Sequence, residues 1–416
     1  MRAIEKMRTV IMEIKRSYPT SGARRFGWTG RIAALAFSAG LAACGQFTSP
    51  FGGDAPPPRP AQPAQPTGQT LGTGPVRVAL LLPLTRDGQS SDVGQSLRSA
   101  AELAIADTGG GAITLLVKDT AGSESGAEAA AQQALQEGAE LVIGPLFANN
   151  VRAVGRATRA SGTPVIAFST DASAAARRTY LLSFLVENYV DRVVAYAASE
   201  GKRSIAVLAP NSSYGNIAVG ELQQAAARRN IRIAAIERYQ PGAPEEAARR
   251  IAGLGRSIDA LFIPEQAQAM GAVSSALTGA GVDPSRVLVM GTGLWNDPRA
   301  LNLPLLQGAV FAAPDNAGYN AFAQRYRARF NTDPIRIATL AYDAVTLAVA
   351  LAGQPAGSRY SEANLTNSSG FNGADGLFRF RTDGTNQRGL AVQRIENGGA
   401  RVISPAPTTF AAGSGI

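Results

Sequence analysis

The chain has 416 residues, a hydrophobic fraction of 45% and a formal charge of +9, which suits a globular protein of two ordinary domains. It has no histidine and one cysteine, Cys44. That excludes a Ser-His-Asp triad, a Cys-His pair, an intrachain disulfide and any histidine or thiolate-cluster metal site. Residues 1–43 hold eight basic and two acidic residues, so +6 of the +9 sits there. Downstream no dense basic patch interleaves with aromatics, which argues against nucleic acid as a partner.

The N-terminal stretch reads as an address. A basic region ends in Arg24, Arg25 and Arg31, and a short apolar run, IAALAFSAGLAA, follows over 32–43. That run is too short to span a bilayer and suits a secretory signal peptide of residues 1–43. Leu41-Ala42-Ala43-Cys44 resembles the bacterial lipobox, in which the cysteine is diacylated and becomes the first residue. The implied location is the periplasm, held by a lipid anchor on Cys44. Gly45, standing where an Asp would retain the protein, implies sorting to the outer membrane. The stretch 44–75 contains Pro56, Pro57, Pro58, Pro60, Pro63 and Pro66 and is expected to be a disordered tether. Extended, it would reach roughly 90 Å.

From 76 onward, short apolar runs alternate with amphipathic ones. Strands are expected at 76–84, 113–118, 141–143 and 164–168, with helices at 91–106, 124–137 and 150–161 between them. A second series begins at 204, with strands at 205–210, 231–239, 260–264, 287–291 and 309–314. Helices follow at 317–330 and 337–352, then a strand at 377–380 and a hairpin over 390–403. Alternation of this kind makes βαβ units and parallel sheets. The fold class is therefore α/β, with two Rossmann-like lobes and an interlobe cleft. The stretch 141–150, LVIGPLFANN, is the clearest unit: a buried strand stopped by Gly144-Pro145, then a helix capped by Asn149 or Asn150. In such sheets ligands bind beyond the carboxyl ends of the strands.

Several pieces in this order resemble the type I periplasmic binding proteins, the leucine-binding-protein-like superfamily. They are VALLLPLTRDGQSSDVGQSLRSAAELAI, LVIGPLFANN, PVIAFST, SIAVLAPNSSYGNIAVGELQQAAARRN and FNGADGLFRFRTDG. The resemblance implies crossings between lobes near 186–191, 312–316 and 386–390. Lobe 1 is then 76–190 with 313–386, and lobe 2 is 191–312 with 387–404, leaving 405–416 as a loose tail. Within the superfamily the pieces look most like the lipoproteins that activate penicillin-binding proteins. That implies a class A peptidoglycan synthase as partner, in addition to any small ligand in the cleft. The alternative is the solute-binding lipoprotein of an ABC importer for branched-chain amino acids or another small ligand. Amino-acid binders carry a Ser/Thr-rich loop after the Gly-Pro and an acid after the strand matching 287–291. Here those places hold Phe147-Ala148-Asn149-Asn150 and Thr292-Gly293-Leu294-Trp295.

Strand exits supply the candidate cleft residues. On lobe 1 they are Thr85, Arg86, Asp87, Phe147, Asn149, Ser169, Thr170 and Asp171; on lobe 2 they are Asn211, Tyr214, Glu265 and Trp295. Tyr214 and Trp295 could stack on a ligand, and Glu265 could instead charge the first turn of a helix. No cofactor is implied: Gly109-Gly110-Gly111 lies too far from a strand end to be a phosphate loop. No catalytic constellation stands out, Asp87 with Asp171 being the one carboxylate pair available to a glycosidase.

Overall fold

The computed structural model describes residues 63–410; the signal peptide, Cys44 and the first part of the tether lie outside the described residues. The first sheet takes β1 (Thr70–Leu71), β2 (Val76–Leu82), β5 (Ile113–Asp119), β6 (Leu141–Ile143), β7 (Val165–Ala167) and β8 (Thr179–Leu181). Between β2 and β5, β3 (Thr85–Arg86) and β4 (Gln89–Ser90) form a small hairpin. The sheet order is β1-β5-β2-β6-β7-β8, parallel except at β1. Helices α1 (Asp92–Asp107), α2 (Glu124–Gln136) and α3 (Ala148–Ala157) connect these strands. Both faces are apolar because side chains alternate along each strand. Val78, Leu80 and Leu82 pack with residues of α1, while Ala79 and Leu81 pack with those of α2 and α3.

After α4 (Val186–Ser199) the pattern repeats. The second sheet takes β9 (Ser204–Pro210), β10 (Arg232–Tyr239), β11 (Ala260–Phe262), β12 (Leu288–Gly291) and β13 (Val310–Ala313). Its helices are α5 (Ser213–Ala227), α6 (Glu245–Gly253), α7 (Met270–Gly279) and the short α8 (Pro298–Leu301). Then α9 (Asn316–Phe330) and α10 (Ala338–Ala352) return to the first sheet, where Phe322, Tyr326, Leu340 and Val345 join its core. After the short α11 (Glu362–Leu365), a three-stranded sheet of β14 (Phe371–Gly373), β15 (Gly376–Phe380) and β16 (Asn386–Arg388) packs beside them. Finally β17 (Ala391–Glu396) and β18 (Gly399–Ser404) complete the second sheet, in the order β10-β9-β11-β12-β13-β17-β18. The chain thus passes between the sheets at 182–185, 314–315 and 389–390. This is a two-lobed α/β fold with parallel sheets.

Four places differ from the sequence reading. The loop at 85–88 is a hairpin turn, with Asp87 and Gly88 at φ 49° and 76°, the Asp-Gly signature of tight hairpins. Helix α3 starts early, with Phe147 as its unbonded cap, so Asn149 and Asn150 lie inside the helix and neither caps it. The end of the supposed tether is seated: Ala64 N donates to Gln136 O at 2.9 Å, and Thr70–Leu71 pairs with Leu115–Leu116. The cause is a buried ion pair, Lys118–Glu137 at 2.8 Å, whose remaining hydrogen bonds come from Thr67. The same segment covers the otherwise open edge of β5. The tail is also engaged over 405–410, with the Phe410 ring 4.5 Å from the Arg379 guanidinium carbon.

The two lobes start their first helix in the same way. Ser91 caps α1 by accepting from Gly94 N, and Ser212 caps α5 by accepting from Gly215 N. Each helix packs so closely on the preceding strand exit that a Cβ at Gly94 would stand 2.0 Å from Pro83 O, and at Gly215 2.2 Å from Pro210 O. Gly215→Ala is expected to lower stability by roughly 1–3 kcal/mol, the scale of overpacking a tight contact. Urea unfolding of the variant checks this, and an unchanged midpoint contradicts it.

Candidate functional site

In each sheet the strand order reverses about the first strand: β2 lies between β5 and β6, and β9 between β10 and β11. The crevice at such a switch point is where open α/β sheets bind ligands. The exits of β2 and β6 offer Thr85, Arg86 and Phe147, and those of β9 and β11 offer Asn211, Tyr214 and Glu265.

On lobe 1 most of these side chains are occupied. Thr85 donates its hydroxyl to Asp119 Oδ2 at 2.5 Å, and its N–H to Asp119 Oδ1 at 3.1 Å. Burial pushes the Asp119 carboxyl up, but these bonds and those from Ala121 and Leu84 outweigh it and hold the pKa below its ordinary value. Arg86 lies 5.8 Å from the centre of the Phe147 ring, so these two candidates meet. Asp87 sits exposed on the hairpin turn. Asn149 and Asp171 also come together, through Arg152: its Nη1 donates to Asn149 Oδ1 at 2.9 Å and its Nη2 to Asp171 Oδ2 at 3.0 Å. Ser169 is buried and accepts from Asp171 N, while Thr170 is exposed. Burial raises the Asp171 carboxyl, yet Ser173 and Arg152 outweigh that and lower its pKa. A carboxyl held ionised in this way is the wrong group for a glycosidase acid, whose pKa must be raised.

On lobe 2, Asn211 is exposed. Tyr214 donates to Thr292 Oγ1 at 2.9 Å, and burial pushes its phenol far up despite that bond. Glu265 is 7% exposed and accepts from Tyr239 Oη at 2.7 Å. The helix after Pro264 begins only at Met270, so Glu265 does not charge its first turn. Trp295 is corrected outright: it is 0% exposed, a core side chain against Gly291, and can stack on no ligand. The short 3-10 turn Gly293–Trp295 folds it back under the sheet.

The sequence reading missed a second set of residues, gathered beside the crossings. Phe184 precedes α4, and Glu187 and Tyr189 lie in its first turn. Glu187 is half-buried, and its Oε2 has no hydrogen-bond partner. Burial and the nearby Glu221 and Asp171 raise its pKa, against a lowering from its own backbone N–H and Arg381. Tyr189 packs on the position of Gly293, and burial raises its phenol to about 12. From lobe 1 come Arg336, Asp343, Asp375 and Arg388. Arg336 forms a bidentate pair with the fully buried Asp375, Nη1 to Oδ2 at 2.8 Å, and lies 4.4 Å from the Tyr319 ring and 5.2 Å from that of Phe184. Arg388 lies 4.6 Å from the same Phe184 ring and 5.6 Å from that of Phe378. Asp343, 2% exposed, accepts from Ala374 N at 2.7 Å through Oδ1 and has no partner at Oδ2. No periodicity marks these residues, because segments up to two hundred positions apart bring them together.

Two surface cavities of about 360 and 410 Å³ flank the seated segment at Leu71 and Thr67, the second reaching Lys118 and Asp119 at the end of β5. Among the described residues no group of His, Cys, Asp and Glu could hold a metal ion. None of their helices is long and apolar enough to cross a membrane.

A pair of parallel sheets, each with a switch point, joined by three crossings is the architecture of a two-lobed binding protein. The periplasmic binding protein family matches residues 75–400, and the chain belongs to that family, whose members bind solutes and are not enzymes. No curated protein sequence matches it. Among solved structures it is similar to a proposed branched-chain amino acid ABC transporter protein of Rhodospirillum rubrum, with 19% identity, 79% of this chain and 99% of that one covered, and a TM-score of 0.71. A substrate-binding protein of Desulfitobacterium hafniense in complex with Leu aligns at 16% identity over 80% and 100%, TM-score 0.58. A solute-binding protein of Rhodopseudomonas palustris BisB5 in complex with 3,4-dihydroxybenzoic acid aligns at 18% over 82% and 99%, TM-score 0.57. At these identities the likeness is one of fold.

Asp343 makes stability depend on pH. Burial first, then the repulsion of Asp375, raises its pKa to about 7 against an ordinary 3.8. Between those values the unfolded chain releases a proton that the folded protein keeps, so stability falls as pH rises and levels off above 7. Asp343→Asn removes this loss. The gap in unfolding free energy between variant and parent, from urea titrations, is expected to widen from pH 4 to pH 7 and stay constant beyond, reaching at most about 4 kcal/mol. A gap independent of pH contradicts the assignment.

Proposed function

We propose that this protein is an extracytoplasmic solute-binding lipoprotein, which takes a small solute between its lobes and presents it to a membrane transporter. The observation that carries this is Glu187, whose Oε2 is shielded from solvent beside the first crossing and has no partner. The acid missing after β12 is thus supplied from α4, and a solute ammonium group would satisfy it. A buried polar atom without a partner costs about 1–3 kcal/mol, which a ligand group recovers on binding. The leucine and dihydroxybenzoate complexes of the structural neighbours support a small organic solute. Calorimetry with leucine, isoleucine, valine and a broader set of small ammonium compounds tests the reading. Binding of at least one, weakened tenfold or more by Glu187→Gln, is expected; no binding of any overturns it.

One observation favours a second reading, activation of a penicillin-binding protein. Thr85, Asn149, Ser169 and Glu265 each make a side-chain hydrogen bond within their own lobe, and Phe147-Ala148 offers no hydroxyl. A cleft with few free groups suits a protein whose partner is another protein, here a class A peptidoglycan synthase met across the periplasm. A synthase that binds the purified chain and runs faster with it, while no solute binds, would establish this reading in place of the first.

In both readings the anchor is Cys44 of Leu41-Ala42-Ala43-Cys44, with the outer membrane as the site. Two or three acyl chains on one cysteine hold a protein stably. Cys44→Ala is expected to move the protein from the membrane to the soluble fraction. Membrane retention of the variant at high salt contradicts lipidation.

A further inference from the structure

Arg388 ends β16, one residue before the last crossing, and is 5% exposed. Its Nε donates to Ser183 O at 2.9 Å, and its backbone N–H to Asn188 Oδ1 at 3.3 Å. Its two terminal amino groups, Nη1 and Nη2, are shielded from solvent and have no hydrogen-bond partner. A buried guanidinium left with open donors is costly unless something accepts from it. The nearby carboxylates make no hydrogen bond to Nη1 or Nη2, although Asp343 Oδ2 is itself without a partner. Asp375 takes both amino groups of Arg336 and the hydroxyl of Thr339, and Asp343 takes Ala374 N.

The surroundings fix the guanidinium rather than neutralise it. Phe184 and Phe378 stand 4.6 and 5.6 Å from it, contacts that orient its plane but accept no hydrogen bond. Across the crossing is Tyr189, on the element that opens lobe 2 and in contact with the Gly293 exit. The charges do not balance either. Arg336 and Arg388 face Asp375 and Asp343, and Asp343, with its pKa raised to about 7, carries only part of a negative charge at neutral pH. The compensation Arg388 receives from Asp343 is therefore incomplete.

We propose that Nη1 and Nη2 of Arg388 form an anion subsite of the interlobe cleft that takes the carboxylate of a small solute. The fork of a guanidinium matches the two oxygens of a carboxylate, so the contact is bidentate and a lysine does not replace it. This rests on the solute-binding reading and deepens it. It also explains how a carboxylate is held when the loop at 147–150 offers no hydroxyl.

The test uses the full-length protein and matched pairs of probes: leucine with leucinamide, 3,4-dihydroxybenzoate with its amide, and a panel of small carboxylates with their amides. Affinities are measured by calorimetry and by the shift in thermal midpoint. The parent is expected to prefer carboxylates to amides by tenfold or more. Arg388→Met should abolish that preference, and Arg388→Lys should weaken it, with the fold of each ligand-free variant checked by circular dichroism. If Arg388→Met fails to fold, the preference of the parent and the response of Arg388→Lys decide. Amides binding as well as carboxylates, or a carboxylate preference intact in a folded variant, overturns the subsite and leaves the cleft reading standing. Binding of no probe of either kind overturns both.

Discussion

Phe184 is the side chain about which the two lobes are joined. Two guanidinium groups lie within about 5 Å of its ring, from Arg336 and Arg388, with Tyr319 beyond the first and Phe378 beyond the second. These contacts tie together the segments beside all three crossings. Each guanidinium–aromatic contact contributes roughly 0.5–2 kcal/mol when desolvated. The larger consequence is geometric. Charged groups buried at a joint must keep their few partners, so the crossings cannot shift independently. Asn386 adds to this, donating to Leu181 O and Ser183 O at 2.7 and 2.8 Å while accepting from Asn188. Gln393 donates to Pro314 O and so binds the second crossing to the third.

The joint is also where chemistry is left open. In the lobes, polar side chains at the strand exits close on themselves, as Thr85 does on Asp119 and Tyr239 on Glu265. At the joint, Glu187, Asp343 and Arg388 each keep a shielded atom without a partner. Native proteins satisfy nearly all such atoms. Such atoms also occur elsewhere, at Thr120, Glu137 and Arg299 among others, but at the joint Asp343 and Arg388 carry them side by side.

What the sequence made legible follows from the range of the interactions. Strands such as VRVALLL and LVI are apolar throughout because both faces are covered, and that pattern is local. The turn of the last hairpin, at Asn397-Gly398, is local as well. Trp295 was misjudged because position after a strand does not say which way a 3-10 turn folds. Its burial depends on Gly291 leaving room, a contact within five residues that no periodicity reports. The seated segment 64–75 was misjudged because its composition is that of a free linker. Its order comes from Lys118 and Glu137, about fifty and seventy positions away. The joint lay further still from view: Phe184 and Arg388 look unremarkable in their own segments, and only the topology makes them neighbours.

That seated segment bears on how the protein is held. A tether leaving the lobe at a loose point would let the lobes turn freely against the membrane. Here the chain is fixed from Ala64 onward, by Gln136 O, by Glu137 and Lys118, and by the edge of β5. The segment enters on the outer edge of the first sheet, where β5 separates β1 from β2. In the lipoprotein proposed above, an anchor upstream of Ala64 would hold the first lobe at its outer edge and leave the second restrained by the joint alone, so the pull of the anchor and any closing of the cleft would act on different parts of the molecule.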